Sequence, residues 1–364
     1  MKKTLVAMAV LAASGAAMAQ SSVTLFGVAD AAMSYGRGNA GNLTSLTSGG
    51  NATSRLGFRG VEDLGGGLQA GFWLEAGLNL GSGTGQGGDT NNQVSGLTAN
   101  KAGLTFNRRS TVSVLGNFGE VRLGRDYSAT YRSLTEFDPF NDVGVGRSAI
   151  DSNGWLAGPF GQRVSNSVAY FLPANIGGVY GEAEYYLGGN SGDVAATSTT
   201  TAVGKRDGTG VGLRIGYAQG PINVAASYAR TNYTATGNIG TFNVAGAYDL
   251  GAAKLFAIYN RDNNKFPTST KGTGYLLGAS APVGLGEFKA TYSNYKRASA
   301  VDGSAPRVDK LAVGYVYNLS KRTALYTTVA YLKNKNGAGY GLNGGSANVN
   351  GNSTGLDFGI RHSF

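Results

Sequence analysis

Residues 210–233 read GVGLRIGYAQGPINVAASYARTNY. In this stretch Val211, Leu213, Ile215 and Tyr217 alternate with Gly212, Arg214, Gly216 and Ala218. Period two is the signature of a β-strand, whose successive side chains point to opposite faces. Gln219, Gly220 and Pro221 turn the chain before alternation resumes at Ile222, so the stretch reads as two antiparallel strands joined tightly.

The same beat runs outward in both directions. It predicts strands over 22–36, 54–64, 68–80, 102–115, 119–127, 163–172, 179–187, 208–218, 222–233, 241–249, 253–260, 273–281, 287–297, 307–318, 324–333 and 353–364. Each is near the ~10 residues that a tilted strand needs to cross the apolar layer of a membrane. A soluble barrel would turn the apolar face inward and a membrane pore would turn it outward, and alternation does not separate the two. The connectors do. Seven short ones alternate with eight long ones, leaving both termini at the short-turn rim. Tight turns on one rim and long loops on the other are the pattern of an outer-membrane β-barrel.

Composition agrees. Glycine makes up 60 of 364 residues, about twice the usual share, and charged residues only 14%. That is too little charge for a disordered chain, and the absence of cysteine excludes disulfide frameworks and thiolate metal sites. Lys2 and Lys3, an apolar stretch over 4–13 and the A-x-A sequence Ala17-Met18-Ala19 describe a secretory signal peptide cleaved between Ala19 and Gln20. Residues 1–19 are then leader and 20–364 the barrel domain, and losing both lysines lowers the formal charge from +10 to +8. Beyond the leader no run approaches the ~18 apolar residues of a membrane helix, so a spanning chain must cross as a closed barrel.

Five segments carry a family resemblance: SSVTLFGVAD at 21–30, SRLGFRGVEDLGGGLQAGFWLE at 54–75, NRRSTVSVLGNFGEVRLGRDY at 107–127, EFDPF at 136–140 and GIRHSF at 359–364. Over essentially the whole mature chain the sequence resembles the trimeric general porins of the Gram-negative outer membrane, of the β-proteobacterial type. The resemblance implies an all-β fold, a 16-stranded antiparallel transmembrane β-barrel with short periplasmic turns, long external loops and an inward-folded third loop. It also implies a homotrimer, with the side carrying Ala29, Ala31 and Ala32 in the subunit interface. Leu356, Phe358, Ile360, His362 and Phe364 share one face of the last strand. By resemblance, Phe358, Ile360, His362 and Phe364 form a signal read by the barrel-insertion machinery; by periodicity alone they are a lipid-facing strand.

The longest connector, 128–162, is by resemblance the inward loop. Its Glu136, Asp138, Asp142 and Asp151, with Arg132 and Arg147, would face basic residues on the wall and set a transverse field across the constriction. Parity supplies the wall: Arg55, Arg59, Arg109, Arg122 and Arg163 point away from the apolar faces of their strands, with Arg55, Arg59 and Arg163 preferred. Arg108 and Arg125 fall on the outward parity, where they snorkel, lie in the interface or mark a bulge. For any single arginine the plain alternative is a solvated wall position away from the narrow zone.

The expected function is passive diffusion of ions and small hydrophilic solutes with a weak anion preference, since clustered positive charge in a low-dielectric channel favours anions. A substrate-specific channel for small organic anions, with Tyr127, Tyr131 and Phe137 as an aromatic slide, is the nearest alternative; an adhesin is a more distant one. External basic loops could also meet lipopolysaccharide phosphates. Neither cofactor, metal nor nucleic acid is expected. Gly83, Gly85 and Gly88, like Gly339, Gly341 and Gly344, match G-x-G-x-x-G, but in long connectors with no following helix. His362 is the only histidine and lies on the outward parity, which leaves hydrolysis no histidine base; an acidic dyad stays possible in principle, but no carboxylate pair has a diagnostic spacing.

Overall fold

The computed structural model describes residues 22–88, 92, 103–150, 161–193, 203–233, 237–264, 270–300 and 302–364. The expected leader, with its cleavage point between Ala19 and Gln20, lies outside the described residues, as does Asp151.

In chain order the strands are β1 (Ser22–Gly38), β2 (Asn42–Ser48), β3 (Arg55–Gly65), β4 (Leu68–Asn79), β5 (Thr84–Gly85), β6 (Arg109–Gly116) and β7 (Gly119–Tyr127). The helix α1 (Ala129–Phe137) follows, then β8 (Arg163–Phe171), β9 (Val179–Tyr186), β10 (Gly210–Gln219), β11 (Ile222–Thr231), β12 (Ile239–Asp249) and β13 (Lys254–Asn264). The series ends with β14 (Thr270–Val283), β15 (Gly286–Ser299), β16 (Arg307–Asn318), β17 (Thr323–Lys335) and β18 (Asn352–Ser363). All pairings are antiparallel, and β1 closes the sheet on β18 from Val28↔Ser363 to Gly38↔Ser353. Gly27 and Phe364 complete the seam by exchanging backbone hydrogen bonds of 3.0 and 3.1 Å. The result is a closed barrel of 16 spanning strands.

Two of the 18 strands do not add to that count. β2 pairs with the upper half of β1 (Ala31–Arg37) and β3 with its lower half (Ser22–Val28), so β2 and β3 lie end to end. The reading of alternating segments leaves 37–53 as a long connector; within it, 42–48 pairs with β1 as β2. β5 is a two-residue strand folded back on β4. Its presence moves the start of the next spanning strand from the expected 102 to Arg109. The upper end of β4 is already occupied: the Gly77 carbonyl accepts from the Gln86 N–H (2.9 Å) and its N–H donates to Asn107 Oδ1 (2.8 Å).

The faces settle which side meets water. On β10, Leu213 and Ile215 are 54% and 61% exposed on the outer surface, while Arg214 between them is 8% exposed and points inward. That is inverted relative to a soluble barrel and suits hydrocarbon outside. Phe358, Ile360 and Phe364 are exposed on the outer face of β18, and His362 shares it, hydrogen-bonded to Thr323 Oγ1 through Nδ1. Ala29 and Ala31 face out from β1, whereas Ala32, grouped with them above, is fully buried and faces in. The interior apolar cluster is not a barrel core but a loop on a wall. Leu134, Phe137, Phe140, Val145, Ala149 and Ile150 pack on Ala225, Ala245, Ile258, Leu276, Val308, Ala312, Ala330 and Leu332 of β11–β17.

Because the chain has no cysteine, single cysteines can report topology. An Ala300→Cys variant, in the connector after β15, is expected to react with a membrane-impermeant maleimide on intact cells. Ala252→Cys, in the turn after β12, is expected to react only after the outer membrane is permeabilised. The reverse pattern would invert the barrel.

Candidate functional site

The 128–162 connector enters the lumen as α1. Ser128 caps it, its side chain accepting from the Tyr131 N–H, and Pro139 ends it by holding Asp138 extended (φ −95°, ψ 119°). Thr130, Ser133, Leu134 and Phe137 form the buried face at helical spacing. Polar contacts hold the helix from both sides. The Ala129 N–H donates to Glu184 Oε1 (2.9 Å), and Arg132 Nε donates to both Glu182 oxygens (3.1 and 2.9 Å). Arg214 donates to Ser133 Oγ (2.9 Å) and pairs with Glu136, which also accepts from Asn223 Nδ2 (2.8 Å). Asn243 Nδ2 donates to the Thr130 carbonyl (3.0 Å).

Beyond α1 the loop crosses to the β1–β18 seam. The Val145 N–H donates to Asp357 Oδ2 (2.8 Å), Lys310 Nζ to the Arg147 carbonyl (2.6 Å), and the Ala149 N–H to Ser293 Oγ (2.9 Å). Gly144 allows the closest approach: at φ +64° a Cβ would stand 2.0 Å from the Gly50 carbonyl oxygen.

This path corrects two expected lumen acids. Asp138, 1% exposed, accepts from the N–H groups of Phe140 (2.9 Å) and Ser148 (3.0 Å) and closes the turn instead of facing the channel. Burial pushes its carboxyl up to about 6 against those donors and Lys310. Because burial favours the protonated acid, the stability linked to this shift is full below the ordinary carboxylate range and is lost as pH rises through about 6. Asp142, 5% exposed, accepts from the Tyr131 hydroxyl (2.9 Å). Of the three described loop acids expected to face the wall, Glu136 alone reaches the passage, held by Arg214. Arg147 lines a separate recess with Lys310 and Asp357.

Three guanidinium groups meet on the opposite wall. Arg108 Nε donates to Glu75 Oε1 (2.5 Å), with Arg55 Nε 3.8 Å from the same oxygen. Arg163 Nε donates to the Arg108 carbonyl (2.9 Å), and its Cζ stands 4.6 Å from the centre of the Tyr127 ring, whose hydroxyl accepts from Arg108 (3.3 Å). Arg108 is buried and turned inward, against the outward parity read for it, because it precedes β6 and is not part of its alternation. Arg125 does sit beside a bulge, where the β7–β8 register shifts between Gly124 and Asp126; it donates to the Asn107 carbonyl (2.6 Å) and Ser165 Oγ (2.7 Å).

A passage of about 360 Å³ runs between wall and loop, lined by Asn51, Ala52, Thr53, Arg55, Arg108, Tyr127, Tyr131, Thr135, Glu136, Asn141, Val143, Lys289 and Arg361. Four of these are basic and one is acidic. Arg59, Arg109 and Arg122 belong to a second space of about 430 Å³ nearer the short-turn rim. Arg59 and Arg109 lie over Trp73 at 5.1 and 4.5 Å; Arg122 lies over Phe171 at 4.0 Å and pairs with Glu120 (2.8 Å) and Asp126. The sequence reading thus missed Arg108, Lys289 and Arg361 at the passage. Lys289 alternates with Phe288 and Ala290, and Arg361 with Ile360 and His362, so their inward parity was readable; their height in the barrel was not. Phe137 is fully buried in the loop cluster and cannot serve an aromatic slide.

The family described as Gram-negative porin matches residues 4–337. Outer membrane porin protein 32 of Delftia acidovorans is 40% identical, with all of both chains covered. Among solved structures, the anion-selective porin from Comamonas acidovorans superposes with a TM-score of 0.79 at 36% identity, covering 95% of this chain and 100% of that one. The trimer form of an outer membrane protein of Vibrio cholerae shares the fold (TM-score 0.65, 15% identity, 94% and 99% covered).

Replacing Arg132 by Met leaves Glu182 without its guanidinium partner, and breaking such a buried pair costs about 3 kcal/mol or more. Amide hydrogen exchange over α1 is expected to speed up accordingly while the β10–β17 ladder stays protected. Unchanged exchange in α1 would show that the apolar face alone docks the helix.

Proposed function

On the premise that the chain belongs to the Gram-negative porin family, and so forms a passive diffusion channel of the outer membrane, we propose that the channel is weakly anion-selective and that Arg55, Arg108 and Arg163, with Lys289 and Arg361, set this preference. The observation that carries the reading is the passage lining of four basic residues, Arg55, Arg108, Lys289 and Arg361, against Glu136, itself tied to Arg214; Arg163 is outside that lining and joins it through its bond to the Arg108 carbonyl. Fixed positive charge inside a narrow low-dielectric channel attracts anions and repels cations without any bond chemistry. The relatives point to a channel rather than an enzyme. Tyr127 and Tyr131 stack edge-on at 5.0 Å between loop and wall, an arrangement that favours a general pore over a substrate-specific one. Arg59, Arg109 and Arg122 would act as an antechamber at the periplasmic side, since Arg59 lies four residues down β3 from Arg55, about 13 Å along the strand.

The partners follow from the outer surface. A homotrimer is supported by the trimer form of the Vibrio cholerae neighbour and by the small outward residues Ala29 and Ala31 of β1. The outward Phe358, Ile360, His362 and Phe364 remain the candidate signal for the barrel-insertion machinery. Near the external rim, Arg261, Lys271, Lys296, Arg307, Lys333 and Lys335 share the outward face of β13–β17. The acid among them, Asp309, is bound by Arg307 (2.8 Å) and Lys335 (2.6 Å). This belt suits lipopolysaccharide phosphates.

The zero-current potential of the native protein across a potassium chloride gradient should have the sign of anion preference. Arg163→Glu should lower the anion-to-cation permeability ratio by about fivefold, the effect of ~1 kcal/mol, and Arg59→Glu by less. Cation preference in the native protein would overturn the reading. For the outer belt, Lys271→Glu/Lys296→Glu/Lys333→Glu should release co-purifying lipopolysaccharide, at ~1 kcal/mol per charge, while leaving conductance unchanged.

A further inference from the structure

We propose that Asp30 is a positioning residue of the channel: its buried carboxylate holds residues 49–54 as a second lip of the passage, opposite the inward loop, and through that lip aims Arg55 and Arg361. The lip is the interval between β2 and β3, where the chain leaves the ladder on β1 and turns into the lumen.

Asp30 is fully buried. Its Oδ1 accepts from the Gly50 N–H (3.2 Å) and the Tyr326 hydroxyl, and its Oδ2 from the N–H groups of Asn51 (3.1 Å) and Ala52 (2.6 Å). Its backbone takes the remainder: the Asp30 N–H donates to Ser54 Oγ (3.0 Å), and the Asp30 carbonyl accepts from Ser54 Oγ and the Gly49 N–H (both 2.9 Å). Thr53 is directed elsewhere, its carbonyl accepting from Arg55 Nη1 (3.1 Å). Asn51 Oδ1 in turn accepts from Arg361 Nη1 (3.0 Å). One face of the lip is therefore bound to a carboxylate, and the other presents two guanidinium groups to the passage that Asn51, Ala52 and Thr53 help to line.

Three successive N–H groups converging on an anion form a nest, and each bond to the ionised oxygen is stronger than one to a neutral acceptor. An asparagine cannot reproduce this. Its single oxygen could serve only one side, and its NH₂ would confront the remaining N–H donors. The opposite lip hangs from the neighbouring strand in the same way: Asp357 of β18 accepts from the Val145 N–H (2.8 Å) and Asn343 Nδ2 (2.8 Å). The two lips touch at Gly144 and Gly50. Both sides of the passage are thus referenced to carboxylates on the strands where the barrel closes.

The selectivity arm of the test rests on the anion preference proposed above; the aperture arm does not. In planar bilayers, Ala52→Cys treated with a small sulfonated methanethiosulfonate should lose about a third or more of its single-channel conductance, as expected for a group added at the narrow passage. In the Asp30→Asn background that block should shrink by about half, and the anion-to-cation ratio should fall about twofold as the guanidinium groups lose their aim. A purely structural carboxylate would lower the unfolding temperature of the barrel and leave both readings unmoved. No block at Ala52→Cys, or unchanged block and selectivity in Asp30→Asn, would overturn the proposal. If Asp30→Asn does not assemble, Tyr326→Phe, which removes one donor from the same carboxylate, serves in its place with the same readings.

Discussion

Hydrocarbon offers no partner to a backbone N–H or C=O, and every other feature of this protein follows from meeting that constraint. The sheet must have no edge, so β1 must find β18, and the seam reaches the last residue, where Gly27 and Phe364 exchange both backbone bonds. Closure fixes a ring of inward positions whose side chains must share an aqueous interior. It also brings the first and last strands of the chain together, and this seam supplies Asp30 and Asp357, four register positions apart, the second of them bound by the loop that enters between β7 and β8.

The interior is then divided by an apolar contact. The loop lays Leu134, Phe137, Phe140 and Ile150 on β11–β17, and the passage is left to Arg55 and Arg108 on the other side, with Lys289 of β15 and Arg361 of β18. The sign of the field owes as much to acids removed as to bases present. Asp30, Asp138, Asp142, Asp357 and Glu184 all bring carboxyl groups inside the barrel, yet each is engaged in accepting N–H or O–H bonds that shape the chain. The carboxylates give the interior its geometry, and the guanidinium groups remain to define its potential.

Much of this was legible before any coordinates. Period two along Val211–Gly212–Leu213–Arg214 was enough to put Arg214 and Leu213 on opposite faces, and the alternating connector lengths, by pointing to a membrane barrel, turned Arg214 inward together with Arg55 and Arg163. It failed at Arg108 because parity holds only within a strand, and that strand begins one residue later. It failed differently at Asp138 and Asp142. A loop acid carries no periodicity, and whether it meets water or a backbone N–H depends on a fold of the loop that its residue types do not encode. The run 42–48 was misread for a third reason: a polar run such as NLTSLTS forms a strand when a neighbour offers a ladder, and the neighbour was not visible in the run itself.

The barrel, its strand number and the two alternating faces of its strands could be read from residue order alone, because these depend on local alternation and on connector length. Which inward charges share one height, that Glu136 stays in the passage while Asp138 leaves it, and that residues 51–53 also line it became visible only in three dimensions. Height and proximity in a closed sheet depend on register and on contacts between residues hundreds of positions apart, such as Asp30 with Tyr326. No local pattern carries that information.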